Sequence, residues 1–303
     1  MRNRTIYALG FFDGVHIGHA ALLATCRELA KEGECGTGVV TFSGHPDTLV
    51  LGNTPKLINT LEDRERLLHG FGMEQVVSLP FDRRMQALPW KDFLDMLRRE
   101  YHAAGFVCGA DFRFGAKGAG NAGTLAIYCR REGLSWAVVP EQSLDGIRIS
   151  SSFIRSRIED GDMDTAVKFL GHPHVLTGEV IHGRHLGSTL GIPTANLQLP
   201  QSLAVPKFGV YLCRCTVEGK SYPAVTNVGT RPTVNGQDIT VEPWILDYEG
   251  DLYGREIKLE FYGFLRPEQK FPSLQALKEE ILRNARQTRD YFREKSIHGT
   301  FTG

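Results

Sequence analysis

Gly10-Phe11-Phe12-Asp13-Gly14-Val15-His16-Ile17-Gly18-His19 is the stretch that decides the fold of the first half of the chain. The run Thr5–Leu9 before it is apolar and rich in strand formers, and apolar residues recur at helical spacing over positions 20–31. The pattern therefore predicts a strand, a tight loop and a helix. The glycines at positions 10, 14 and 18 allow the backbone to turn sharply and to approach a ligand closely.

The predicted helix start gives this loop a chemical interpretation. Free N–H groups and a partial positive charge at a helix N-terminus suit phosphate. His16 and His19 are three residues apart and share a face of the first helical turn, so two imidazoles are placed to donate hydrogen bonds to a phosphate chain. Two alternatives are a structural or solvated histidine pair and a metal site, although no Cys or carboxylate lies nearby at zinc spacing.

Composition narrows the class of protein. The 303 residues are enough for two domains, and 35 basic residues balance 35 acidic ones, so no overall positive field favours a nucleic-acid partner. No apolar run reaches the roughly 20 residues of a membrane helix, and no signal peptide follows Met1. The six cysteines form no Cys-x-x-Cys pair, so we expect reduced thiols in a cytoplasmic protein. No obligate protein partner is evident.

The first half alternates predicted strands and helices. After the first helix, strands are expected at 38–42, 75–79, 105–108 and 135–139, with helices at 61–71, 90–100 and 124–132. This alternation predicts an α/β doubly wound parallel sheet. Because ligands bind at the carboxyl ends of such strands, the loops at 10–19, 43–46 and 109–115 should converge on one site.

The second half has a different sequence pattern. Helical segments begin near 149 and end at Gly171, and short strands with Gly and Pro between them then run from 176 to 264. Many short strands in succession predict a small antiparallel β-barrel. A long amphipathic C-terminal helix is expected at 273–291, with Ser273 as its N-cap. The predicted domains are 1–172 and 173–303.

Motifs in both halves, taken in chain order, resemble those of the bifunctional bacterial riboflavin kinase/FAD synthetase family. In the first half they include the His-x-Gly-His motif of the nucleotidyltransferase superfamily at 16–19, Thr41–Pro46, Gly109–Gly115 and Ile149–Arg155. The resemblance implies a Rossmann-like FMN adenylyltransferase domain with His16, His19 and Arg155 as catalytic residues. It implies flavin- and nucleotide-binding roles for Gly10, Phe12, Asp13, Gly14, Gly18, His45, Asp111, Phe112, Ser151 and Ser152.

The chemistry implied for this domain is attack of the FMN phosphate on the α-phosphate of ATP, with release of pyrophosphate. Such a transfer needs mostly positioning and charge neutralisation. In this module the sequence departs from the family at three positions: Phe11 stands where Asn is usual, Gly44 interrupts Pro-His-Pro, and Ser152 replaces Thr while keeping a hydroxyl.

In the second half, Gly187–Asn196 resembles the Pro-Thr-Ala-Asn segment of the riboflavin kinase module. The resemblance implies that Thr194 and Asn196 bind Mg²⁺, whose preferred ligands are hard oxygens. It also implies nucleotide or flavin contacts for Gly191, Pro193 and Asn227. Glu242 matches the catalytic base, a carboxylate that accepts the proton of the ribityl 5′-hydroxyl. The chain has no Gly-x-x-x-x-Gly-Lys-Ser/Thr motif, so a P-loop kinase is excluded.

The resulting functional hypothesis is a bifunctional transferase with ATP as substrate and Mg²⁺ as cofactor. It converts riboflavin to FMN and FMN to FAD, and its partners are riboflavin, FMN and ATP. One alternative keeps only the kinase active, because the three departures lie in the first module. Another is a non-enzymatic flavin-binding regulatory protein.

Overall fold

The computed structural model describes residues 4–50, 52, 55–182, 192–233 and 236–297, with side chains left out at 231–233, 236–238 and 296–297. The chain forms two compact units, Met1–Phe153 and Ile154–Gly303. The division falls earlier than the predicted domain boundary at 172–173, so the second unit begins inside a helix. The functional boundary at 172–173 stays a prediction.

The first unit is built on a five-stranded parallel sheet with two small hairpins beside it. Its strands are β1 Thr5–Leu9, β2 Gly36–Phe42, β3 Gln75–Leu79, β4 Ala103–Gly109, β5 Arg113–Phe114, β6 Gly120–Asn121, β7 Ser135–Val139, β8 Ser143–Leu144 and β9 Ile147–Arg148. Its helices are α1 Ile17–Glu32, α2 Pro46–Val50, α3 Leu61–Gly70, α4 Arg83–Ala87, α5 Trp90–Glu100 and α6 Ala122–Glu132, with α7 Ser151–Asp160 crossing the division.

The sheet has the order β3-β2-β1-β4-β7, and all of its pairs are parallel. Strand β1 is central and completely buried. Its residues alternate between two cores: Ile6 and Ala8 pack in the core that contains Leu23 of α1, whereas Tyr7 and Leu9 pack in the core that contains Phe93 of α5. The predicted doubly wound fold is confirmed, and the reversal of strand order beside β1 places a ligand crevice at the end of that strand.

The second unit contains a closed six-stranded antiparallel barrel, which confirms the second part of the predicted fold. Its elements are α8 Met163–Leu170, β10 His174–Ile181, β11 Asn196–Gln198, β12 Gly209–Val217, β13 Lys220–Thr233, β14 Gly236–Ile245, β15 Glu256–Arg266 and α9 Leu274–Ile297. The strand order is β10-β11-β14-β13-β12-β15, and β15 pairs back with β10.

Helix α9 begins where the sequence predicts. The Ser273 hydroxyl accepts a hydrogen bond from the Ala276 N–H at 3.1 Å, as expected of an N-cap. Ala285 and Phe292 pack in clusters with barrel residues. Leu277 and Ile281, one turn apart on the predicted apolar face, instead line a cavity beside the barrel. The helix therefore serves both as a structural support and as one wall of a cavity.

Two predictions made from the cysteines and the hydropathy bear on the whole chain. All six cysteines are buried and free, so no disulfide joins them. Within the ranges that the structure describes, no helix combines the length and the apolar character needed to cross a bilayer.

The position of α8 leads to a prediction about folding. Met163, Ala166, Phe169 and Leu170 are at most 2% exposed, and α8 packs against β10 and β15. We expect a fragment of residues 163–303 to unfold cooperatively, and a fragment starting at 176, which lacks α8 and the first two residues of β10, to be much less stable. Each larger buried side chain contributes about 1.5–3 kcal/mol. Denaturation followed by circular dichroism measures the difference, and equal stability of the two fragments would contradict a supporting role for α8.

Candidate active sites

The loop after β1 has a strained backbone. Phe12 and Val15 have positive φ angles of 61° and 39°, although both side chains are completely buried, and Gly14 has φ 81°. Such conformations cost energy at non-glycine residues and persist where the surroundings fix them, most often at functional sites. At Gly18 a Cβ atom would lie 3.2 Å from the His16 imidazole, so a side chain there would crowd the ring. The sequence indicated a tight loop but placed the unusual φ angles on the glycines.

His16 and His19 lie together at the start of α1, as the spacing predicts. His16 is the N-cap, and its Nδ1 accepts a hydrogen bond from the His19 N–H at 3.2 Å. The two imidazoles stack with centroids 3.6 Å apart and ring planes 10° from parallel. Burial, together with the nearby His16 and Arg64, lowers the pKa of His19 well below its ordinary value. His19 is therefore a neutral hydrogen-bonding group.

The buried carboxylate of Asp13 holds the loop in place. Its Oδ1 accepts a hydrogen bond from the Ile58 N–H at 2.8 Å, and the Asp13 carbonyl accepts one from the Ser151 hydroxyl at 2.9 Å. Asp13 and Ser151, both predicted to bind ligand, thus also connect the loop to distant parts of the first unit. Ser152 is exposed beside Ser151.

A residue that sequence analysis missed, Arg64 of α3, lies behind this loop. Its side chain is only 1% exposed. Its guanidinium donates hydrogen bonds to the carbonyl of Phe11 at 3.0 Å and to that of Phe42 at 2.7 Å. Arg64 thereby joins the loop after β1 to the end of β2. The surrounding sequence Leu-Glu-Asp-Arg-Glu-Arg looks like an ordinary solvated helix, so nothing in it marks this arginine.

Asn59 is a second missed residue, next to the N-cap of α3. Its side chain is 1% exposed, and neither its amide nitrogen nor its oxygen has a hydrogen-bond partner among the described residues. Buried polar groups nearly always have partners, so an unpaired amide near the end of the sheet is a candidate for a ligand or water contact.

The other predicted loops occupy the same edge of the sheet. His45 follows β2, and its Nδ1 accepts a hydrogen bond from the Asp47 N–H at 3.1 Å. Asp111 follows β4, and its carboxylate pairs with Arg148 at 2.6 Å on the surface. The Phe112 ring stacks on Phe114, with centroids 5.6 Å apart. Arg155 lies on α7 two residues beyond the division between the units, and its role stays a prediction.

In the second unit, strand register brings two predicted residues together. Glu242 on β14 lies directly opposite Asn227 on β13. Both line a cavity of about 660 Å³, together with Thr194 and apolar residues of the barrel and of α9. A volume of this size is typical of sites for small organic molecules and cofactors. Partly buried and set in a mostly apolar wall, Glu242 lies where a carboxylate can meet a bound ligand.

Thr194 also lines a second, smaller cavity of about 170 Å³, with Pro193 and Tyr253. It therefore lies between the two cavities. Asn196 is the first residue of β11, pairs with Ile181 and is half-buried, but it lines neither cavity. Gly191 lies outside the described residues. Among the side chains that the structure describes, no three His, Cys, Asp or Glu residues cluster to hold a metal ion.

Comparisons with known proteins cover both units. A family model for FAD synthetase matches residues 1–153, and one for riboflavin kinase matches residues 170–292. Curated proteins described as bifunctional riboflavin kinase/FMN adenylyltransferase are 33% identical in Listeria monocytogenes (95% of this chain, 92% of the relative), 36% identical in Pseudomonas fluorescens (91% and 89%) and 35% identical in Escherichia coli K12 (95% and 92%).

A solved structure agrees over the same length. It is described as a macrolide-efflux protein from Streptococcus pneumoniae, and it superposes with a TM-score of 0.85 at 30% identity, covering 94% of both chains. The similarity to known proteins thus extends through the parallel sheet and the barrel alike.

Proposed function

Because the chain belongs to the bifunctional riboflavin kinase/FMN adenylyltransferase family, we propose that its two reactions use the two sets of residues described above. The protein phosphorylates riboflavin to FMN and adenylylates FMN to FAD, with ATP as the second substrate of both reactions. Family membership favours neither the kinase-only alternative nor the non-enzymatic one. What remains to be assigned is the role of each residue.

For adenylyl transfer, the proposal is based on the stacked imidazoles of His16 and His19. An oxygen of the FMN phosphate attacks the α-phosphorus of ATP, and the bond to the β-phosphate oxygen breaks to release pyrophosphate. Since His16 Nδ1 accepts a hydrogen bond from a backbone N–H, Nε2 is the ring nitrogen that can donate a hydrogen bond to phosphate. His16 and His19 then stabilise negative charge as it moves onto the leaving pyrophosphate. We assign Arg155 and the hydroxyls of Ser151 and Ser152 to phosphate contacts on the basis of the family motif.

For phosphoryl transfer, the pairing of Glu242 with Asn227 in the larger cavity carries the proposal. Glu242 accepts the proton of the ribityl 5′-hydroxyl as that oxygen attacks the γ-phosphorus of ATP, and ADP leaves. The flavin occupies the larger cavity, where apolar side chains of the barrel and of α9 contact its ring system. ATP phosphates approach from the smaller cavity, so that Thr194 lies between donor and acceptor.

Mg²⁺ fits the donor set on the kinase side. The Thr194 hydroxyl and the Asn196 amide oxygen are hard ligands, and Mg²⁺ commonly combines one or two such groups with phosphate oxygens and water. When bound, the ion supplies charge neutralisation to the phosphates. Thr194 and Asn196 would hold it, and Glu242 remains available for the proton. We further propose a cytoplasmic location, in keeping with six free thiols.

Thr194→Val tests the position of that hydroxyl. We expect riboflavin phosphorylation to fall about 10-fold to 100-fold, because a hydrogen bond or ligand contact to a charged group is worth about 1.5–3 kcal/mol. Thr216→Val, on β12 and hydrogen-bonded to Ser221, is the matched control and should keep the normal rate. Both rates are measured by incubating the protein with riboflavin, ATP and Mg²⁺ and separating the flavins by chromatography. Equal rates for the two variants would remove Thr194 from the kinase site.

A further inference from the structure

Phe11, which stands where Asn is usual in the family, makes contacts in this structure that depend on its aromatic ring. We propose that Phe11 is a positioning residue for FAD formation. Its ring packs between the buried Arg64, which is fixed in place, and the imidazole of His45, whose rotation it limits. The inference rests on the proposed function, in which His45 contacts the substrates of adenylyl transfer. It adds two residues, Phe11 and Arg64, to the machinery of that reaction.

Arg64 is the fixed end of this arrangement. It is fully buried, and its hydrogen bonds are accepted by one carbonyl oxygen in the loop after β1 and one at the end of β2. The Phe11 carbonyl also accepts a hydrogen bond from the Thr41 hydroxyl at 2.8 Å. A guanidinium held in a planar fork by two acceptors has little freedom to move. The backbone at Phe11 is consequently held from two sides.

The aromatic ring of Phe11 connects Arg64 to His45. The Arg64 guanidinium carbon lies 4.3 Å from the centre of the Phe11 ring, in cation–π geometry. The His45 ring meets Phe11 in an edge arrangement, with centroids 4.6 Å apart and planes at 69°. We call these three side chains the Arg64–Phe11–His45 stack. An asparagine at position 11 offers no aromatic face to either neighbour.

The stack leaves His45 oriented for substrate. Its Nδ1 accepts a hydrogen bond from the Asp47 N–H at 3.1 Å and lies 3.7 Å from the Asp47 carboxylate, so this edge of the ring is held by the start of α2. His45 follows β2 at the edge where His16 and His19 follow β1, and its side chain is 17% exposed. The Phe11 ring limits the rotation of the imidazole, which holds His45 in one orientation. An interaction made by a preorganised donor is worth more in the transition state than one made by a donor that must reorient.

A double-mutant cycle between Phe11→Leu and His45→Ala tests this inference in the full-length protein. FAD formation from supplied FMN is measured, with kcat and the KM for each substrate determined separately. We expect Phe11→Leu to lower kcat about 10-fold, because small losses of alignment at a reacting centre are costly. In the His45→Ala background, the same change should have almost no further effect. Phe11→Tyr keeps the ring and should restore kcat.

The controls separate positioning from folding. Riboflavin phosphorylation and the melting temperature should not change in Phe11→Leu. If the leucine variant unfolds, Phe11→Met, which also lacks a ring, is used in its place. Arg64→Lys keeps the charge but loses the planar fork and should lower kcat, whereas Arg83→Gln, which changes an exposed arginine of α4 in the same unit, should not. Independent losses at Phe11 and His45, or a normal rate in Phe11→Leu, would overturn the inference. A normal rate in His45→Ala would instead overturn the proposed role of His45 itself.

Discussion

Replacing Glu242 by glutamine is expected to lower the rate of FMN formation by about 10²–10⁴, because the amide keeps the size of the side chain but cannot accept the proton of the ribityl hydroxyl. The affinities for riboflavin and ATP should change little, since the lost interaction matters mainly in the transition state. Single-turnover phosphorylation of riboflavin at saturating ATP and Mg²⁺ is the measurement.

Two comparisons make the Glu242 result specific. Glu256→Gln changes an exposed carboxylate on β15 of the same barrel and should leave the rate unchanged. FAD formation from supplied FMN should persist in Glu242→Gln, because the histidine pair lies in the other unit. A rate close to that of the unaltered protein would leave positioning of the substrates, and not proton removal, as the function of this side of the cavity.

His19→Ala should have the complementary effect. Loss of one preorganised donor commonly costs about 10²–10³ in rate, so FAD formation from FMN should fall by that factor while FMN formation continues. His69→Gln on α3, an exposed histidine of the same unit, is the matched control and should behave normally. Equal loss of both activities in a folded His19→Ala variant would argue against two separate sites.

The pH dependence supplies a second test of His19. Since the pKa of His19 lies well below its ordinary value of 6.5, the ring is neutral at pH 7 and stays neutral as the pH falls through 6.5. FAD formation should therefore not rise on acidification over that range. A rise that disappears in His19→Ala would mean that the charged imidazolium is the active form.

Several elements of the first unit could be placed from the sequence to the residue. Strands β1, β3 and β7 and helix α5 have the predicted bounds, because a Gly or a Pro adjoins one end of each element: Gly10, Pro80, Pro140 and Pro89. Helices α2 and α4, with five residues each, are too short to show a period, and the two-residue strands of the hairpins have none. The sequence predicts several short strands with Gly and Pro between them, whereas β13 runs without a break over Lys220–Thr233 and contains Pro223 and Pro232.

The candidate sites were predictable where local spacing decides the geometry. His16 and His19 meet because they are three residues apart on one turn, and the Ser273 cap follows from its place before an apolar helix. The pairing of Glu242 with Asn227 depends on strand register, which no local pattern reveals, and here the family resemblance supplied the residues. Burial of Arg64 depends on packing of α3 against the loop after β1 and the end of β2. The charged sequence of the helix therefore does not show that this arginine is buried.

Closure of the barrel affects which unit aggregates first when a damaged or newly made chain is not fully folded. Over the described residues every strand of the barrel has a neighbour on each side for at least part of its length, although β11 and β14 pair at only one position, so the barrel has no edge strand. The parallel sheet ends instead in β3 and β7, each paired on one side only. Exposed strand edges are templates for intermolecular pairing. When the helices and loops around these edges loosen, aggregation should begin in the flavin-adenylylating unit while the kinase barrel stays soluble.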